Sequence, residues 1–210
     1  MARFQTRTLP QLIAAAALVA LTAQVHAQTA GSGPFQVRVR AVSLDPADKD
    51  STGLGLKLSK KTIPEVDFTY FFTPNLATEL VLTYPQKHKL SAGGTQIGTV
   101  KHLPPTLSLQ YHFNPEGQFR PYVGAGINYT RFSGVHFNPA VQAALSPSIK
   151  RNSFGFSAQV GADVMIDRQW SVNFDVKKVQ IDTKVYSANT EVGKFKIDPL
   201  LLSVGVGYRF

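Results

Sequence analysis

Histidines and acidic residues are the first candidates for chemistry in this chain, and their spacing excludes most of it. His88, His102, His112 and His136 include no H-E-x-x-H or other paired spacing that would hold two imidazoles on one metal ion. Asp48-Lys-Asp50-Ser-Thr-Gly53 opens like a calcium loop, but Ser59 stands where the bidentate glutamate must be. No G-x-S-x-G nucleophile elbow occurs. The absence of cysteine removes thiolate chemistry and disulfides together. His112 would serve as the base of a lipid-acting enzyme only with a hydroxyl nucleophile and an orienting carboxylate in reach. Neither enzyme activity nor a cofactor or metal is expected.

A second group of charges is informative because of the elements that carry it. Arg38, Arg40, Asp67, Glu79, Asp163, Asp175 and Lys177 all lie in short runs that alternate apolar with polar residues, and always on the polar side. Such alternation marks β-strands with unlike faces. Eight segments show it, centred on Phe35–Val42, Val66–Phe72, Leu76–Tyr84, Leu107–Phe113, Val123–Thr130, Phe154–Ile166, Trp170–Lys177 and Leu200–Phe210. Their connections alternate too. Thr73–Asn75, Asn114–Arg120 and Asp167–Gln169 are short, whereas Asp45–Thr62, Pro85–Pro105, Ser133–Asn152 and Gln180–Lys196 are long.

An even number of strands with alternating short and long connections is the layout of an outer-membrane barrel. A soluble eight-stranded carrier would turn charges outward and apolar residues inward. Here aromatics favour the reverse, since Phe35, Phe72, Phe113, Trp170 and Phe210 sit beside the short turns or termini, and Tyr84, Tyr129 and Phe154 beside the long loops. Those are two interfacial girdles. The expected fold is therefore all-β, an eight-stranded antiparallel transmembrane β-barrel with short periplasmic turns and long extracellular loops. The terminal Phe210 is expected to end the strand that closes onto the one starting near Phe35.

Residues 1–27 read as a cleaved signal peptide: Arg3 and Arg7 precede an apolar stretch from Leu12 to Ala23, and Val25-His26-Ala27 forms a small-residue cleavage site. The barrel would occupy residues 28–210. The chain is basic, with 22 Lys and Arg against 13 Asp and Glu. After an export signal, this points to phosphorylated lipid head groups rather than nucleic acid.

Three stretches carry a resemblance to a known family: Thr99-Val-Lys-His-Leu-Pro-Pro-Thr-Leu107, Arg120-Pro-Tyr-Val-Gly-Ala-Gly-Ile-Asn-Tyr-Thr130, and Ile197-Asp-Pro-Leu-Leu-Leu-Ser-Val-Gly-Val-Gly-Tyr-Arg-Phe210. With the eight-segment spacing, they resemble the OmpW family, AlkL-type proteins included. The resemblance covers essentially the whole mature chain. It implies an eight-stranded barrel whose narrow, partly hydrophobic channel admits small apolar molecules. The long loops, Asp45–Thr62 above all, depart from it.

On this reading the chain is a monomeric passive channel for small hydrophobic solutes, resident in the bacterial outer membrane. Val42, Phe71, Val81, Met165 and Leu201 are apolar residues on the inward parity and would line the passage. Pro104 and Pro105 interrupt backbone pairing and would open the wall sideways. Inward glycines such as Gly161, Gly205 and Gly207 would leave a narrow way through. Asn138-Pro139 begins a short capped helix over the mouth. Loop lysines, among them Lys57, Lys87, Lys89 and Lys101, would meet lipopolysaccharide phosphates, and Phe210 the barrel-assembly machinery. The rival is a structural or adhesive barrel, favoured if Arg38 and Arg40 join Asp67, Glu79, Asp163 and Asp175 in one filled network.

Overall fold

The computed structural model describes residues 33–210. The expected signal peptide lies outside the described residues. Eight strands form a closed antiparallel wall: β1 (Phe35–Asp45), β4 (Lys61–Phe71), β5 (Leu76–Thr83), β8 (Thr106–His112), β9 (Phe119–Phe137), β11 (Asn152–Met165), β12 (Trp170–Val179) and β15 (Leu200–Arg209). Each pairs with its sequence neighbour in this series, and β1 pairs with β15 to close the ring. The closing pairing runs from Gln36 opposite Arg209 to Asp45 opposite Leu200. Main-chain bonds tie Phe35 to Phe210 in both directions, at 3.2 and 2.8 Å. Closure leaves no edge, which is what a sheet in hydrocarbon requires.

The alternation sets which face meets lipid. Leu80, Leu109, Phe156, Phe174 and Val206 are exposed on the outside, while Gln36, Arg38, Thr69, Ser108 and Asn173 are buried inside. Aromatics are exposed at both rims, Phe72, Phe113, Trp170 and Phe210 at one and Tyr84, Tyr129 and Phe154 at the other. The short turns are held by side-chain acceptors. Thr73 Oγ1 accepts from Leu76 N at 2.9 Å, and Asp167 Oδ1 accepts from Gln169 N and Trp170 N at 2.7 Å each.

The long connections correct the sequence reading, because they are largely not loops. They contain β2 (Lys49–Asp50), β3 (Leu56–Leu58), β6 (Gln86–Ala92), β7 (Thr95–Leu103), β10 (Pro147–Ile149), β13 (Asp182–Ser187) and β14 (Thr190–Lys196). The hairpin β6–β7 turns at Gly93 and Gly94, whose φ angles of 55° and 86° suit glycine. Its inward residues His88 and Leu90 alternate with Lys87 and Lys89, so this basic stretch is itself a two-faced strand. Helix α1 (Pro139–Leu145) follows Asn138 and has no buried residue. Asp50 Oδ1 and Oδ2 accept from Thr52 N and Leu56 N, and Asp48 Oδ1 from Leu58 N, so these carboxylates brace their own turn.

Candidate functional site

The barrel interior is divided into a charged inner half and an apolar outer half. In the inner half Arg38 reaches Asp67 at 3.2 Å, Glu79 at 3.7 Å and Asp163 at 2.7 Å. Arg40 reaches Glu65 at 2.9 Å, Asp67 at 2.8 Å and Glu79 at 3.2 Å, and Lys177 Nζ reaches Glu79 at 2.8 Å. Asp175 takes no arginine; its Oδ2 accepts from the Tyr122 hydroxyl at 2.9 Å. Asn173 donates to Asp163 at 2.9 Å and Gln159 to Glu79 at 3.3 Å. Arg38, Asp67 and Glu79 are each 0% exposed. Charges so deep are tolerable only when each is paired and hydrogen-bonded.

All seven lumen charges expected from sequence meet here. Glu65, Tyr122 and Asn173 were missed as members. Glu65 stands one residue before the segment that began at Val66, and Tyr122 one before Val123. The inward glycines do not leave a passage. A side chain at Gly161 would collide with the Tyr122 ring, and one at Gly207 would lie 3.2 Å from Arg38 Cγ and 2.8 Å from Gln36 Nε2. These positions lack a side chain because the plug occupies the space.

One inward step outward along five adjacent strands, chemistry changes. Lys177 gives way to Val179 on β12, Ser203 to Leu201 on β15, Arg40 to Val42 on β1, Glu65 to Ile63 on β4, and Glu79 to Val81 on β5. Val42, Leu44, Ile63, Phe132, Val179, Ile181, Ile197 and Leu201 belong to one buried cluster with Leu56, Leu58, Leu90 and Val100 from the hairpins. Each fully buried aliphatic side chain contributes roughly 1.5–3 kcal/mol. Above it lies a cavity of about 60 Å³ with an apolar wall in which Thr183 is the single hydroxyl-bearing residue among the described residues, roofed in part by Val141 and Leu145 of α1.

The five apolar candidates are all buried but do not form one lining. Val42 and Leu201 belong to the outer cluster, and Val81 and Leu201 line a smaller cavity of about 20 Å³ beneath it. Phe71 and Met165 lie at the other end, around a separate cavity with Arg120 and Arg209, where the Arg209 guanidinium stacks 3.8 Å above the Phe71 ring. They are parted from the outer set by the charge network.

Pro104 and Pro105 fall between β7 and β8. Pairing of β5 with β8 ends at Val81 opposite Thr106, and the pairing of β6 with β7 begins at Gln86 opposite His102. The wall is therefore unladdered between Leu82–Pro85 and Leu103–Pro105, and the 20 Å³ cavity is lined by Thr83 and Pro104 at this break. Next to it the buried rings of His88 and His102 stack at 4.7 Å. Burial and the adjoining His88 push the His102 imidazole down to about 3, and burial likewise lowers His88. Both are neutral at neutral pH.

His112, the enzymatic candidate, is packed between Phe71 and Tyr122, with Nε2 3.2 Å from Gln110 Oε1. No serine or threonine hydroxyl is hydrogen-bonded to it among the described residues. Metal-holding groups of three or more His, Asp or Glu are absent among the described residues.

Comparison with known proteins agrees with this architecture. The profile of the OmpW family matches residues 31–210. An uncharacterized outer-membrane protein of Sinorhizobium fredii is 44% identical over 192 residues, covering 86% of this chain and 82% of its own. Outer membrane protein W of Escherichia coli is 37% identical over 192 residues, covering 85% and 89%. The crystal structure of the outer membrane protein OprG from Pseudomonas aeruginosa superposes with a TM-score of 0.74 at 28% identity, covering 88% of this chain and 99% of that one.

Proposed function

The chain belongs to the OmpW family of outer-membrane barrels, and on that premise we propose that it carries small hydrophobic molecules passively from outside into the membrane. The observation that carries this reading is the apolar cavity of about 60 Å³ in the outer half, set above a cluster that excludes charge. An apolar solute crossing the polar saccharide layer gains by entering such a site. A solute of more than a few heavy atoms must displace α1, which is fit for that because none of its residues is buried.

Axial travel ends at the charge network, since an apolar solute would have to part buried ion pairs there. The exit in this proposal is sideways, at the unladdered wall beside Pro104 and Pro105. Val42, Val81 and Leu201 line that route; Phe71 and Met165 lie beyond the network and take no part in it. Outside, Lys57, Lys87, Lys89 and Lys101 project from β3, β6 and β7, with Lys87 directly opposite Lys101. These lysines make no ion pair among the described residues, and cations so placed suit the phosphates of lipopolysaccharide. The leader, the monomeric state and an assembly role for Phe210 belong to the same proposal.

A second reading has an observation in its favour. The filled network is what a purely structural or adhesive barrel needs. Transfer of a two-ring aromatic hydrocarbon into vesicles carrying the purified protein separates the two. The passage reading expects transfer faster than into empty vesicles, and equal rates would leave the structural barrel.

A further inference from the structure

The small cavity at the wall break holds polar atoms that an all-apolar route does not need. His102 Nδ1 and Thr83 Oγ1 belong to residues that line it, and both lack a hydrogen-bond partner among the described residues. His102 is 2% exposed. A buried polar atom left unpaired costs about 1–3 kcal/mol, so two around one small cavity call for a third group to join them.

The ring that presents Nδ1 is held in place. It stacks on His88 with 28° between the planes, and its centroid lies 6.4 Å from Phe132, a wall residue of the outer cavity. His88 is fixed in turn, because its Nδ1 lies 2.9 Å from the Ser59 carbonyl oxygen. A carbonyl only accepts, which puts the His88 proton on Nδ1.

We propose that this cavity is a head-group subsite that takes the hydroxyl of an otherwise apolar alcohol, whose hydrocarbon part lies among the outer cluster. A hydroxyl donates and accepts, so it satisfies Thr83 Oγ1 and His102 Nδ1 whichever tautomer His102 adopts. The volume of about 20 Å³ suits a group the size of water. A carboxylate fits poorly. Glu65 lines the same cavity, and the network beneath holds Glu65, Asp67, Glu79, Asp163 and Asp175 against only Arg38, Arg40 and Lys177. Lys177 also lines the cavity, but its ammonium is engaged by Glu79 at 2.8 Å. A plain hydrocarbon would fill the apolar cluster and leave both polar atoms unpaired. The subsite rests on the passage reading, because the hydrocarbon part needs the outer half.

The test uses the full-length protein in lipid nanodiscs with ¹⁵N-labelled histidine, titrated with 1-octanol, octane or octanoate at matched membrane mole fractions, against empty nanodiscs. The expected result is that 1-octanol shifts the His102 Nδ1 resonance and binds about tenfold more tightly than octane, the equivalent of one good hydrogen bond. In His102→Phe, which keeps an aromatic ring on His88, the preference disappears, and in Thr83→Val it shrinks. If His102→Phe does not fold, the wild-type resonance and Thr83→Val decide. Equal binding of octanol and octane, tighter binding of octanoate, or a preference surviving in His102→Phe would overturn the subsite alone. Binding of none of the three would overturn the passage reading with it.

Discussion

Along β1 the inward side chain changes from Arg40, with three carboxylates around it, to Val42, fully buried in the apolar cluster, within two residues. The two halves of the interior are filled with opposite chemistry. The inner half is specific, since every charge depends on a named partner, on the adjacent strand for Arg40 and Glu65 and across the barrel for Arg38 and Asp163. The outer half is non-directional, and its hydrophobic contacts need volume rather than geometry. A plug should be unyielding, and the proposed entry for solutes should be compliant; directional ion pairs suit the first and non-directional apolar contacts the second.

Breaking one partner in the inner half should have the largest effect. Arg38→Met leaves Asp163 without its counterion and takes one of two arginines from Asp67, and should lower unfolding stability by about 3–5 kcal/mol. Denaturant titration in bilayers measures it, and a loss below about 1 kcal/mol would mean the network is not what holds this half. Hydrocarbon transfer per folded molecule should be unchanged.

The converse change belongs in the outer half. Val185→Asp puts an unpaired carboxylate on the apolar cavity wall and should cut hydrocarbon transfer by more than about tenfold. Its inner network should remain intact, so the folded barrel should still be recovered. A smaller effect is expected from Pro104→Val with Pro105→Val, which returns two N–H donors to the wall. If the break is the exit, transfer should fall by about threefold to tenfold as the strand zips up.

The two halves should also differ in their response to pH. His88 and His102 titrate below their usual range in the fold, so the unfolded chain takes up protons first as pH drops. The His102 contribution is fully present above about pH 6.5 and is lost progressively toward pH 3, and that of His88 is lost in the same direction. His102→Phe should therefore flatten the wild-type fall in stability over that window, as thermal unfolding at stepped pH would show.

Much of the inner half was legible in the sequence, because a strand's period of two assigns Arg38, Asp67 and Glu79 to one face without further information. Which charges meet was not legible. Arg38 finds Asp163 across 125 residues through pairings that no local pattern states. The outer half was hidden for a different reason. Leu56, Leu58 and Leu90 alternate with lysines in stretches too short and too basic to be told from loops. The candidate site was split accordingly: Val42, Val81 and Leu201 lie in the outer half, whereas Phe71 and Met165 share their parity and lie at the other end.

On the proposed function, hydrophobic molecules pass the outer half while the inner half stays closed to water-soluble ones. Vesicles loaded with a small neutral sugar and carrying the purified protein test both at once, if sugar release and arrival of a two-ring aromatic hydrocarbon are followed together. The expected result is accelerated arrival of the hydrocarbon with the sugar retained as in empty vesicles. Release of sugar in step with hydrocarbon entry would show an open pore, and no acceleration of either would show a closed structural barrel; each contradicts the claim.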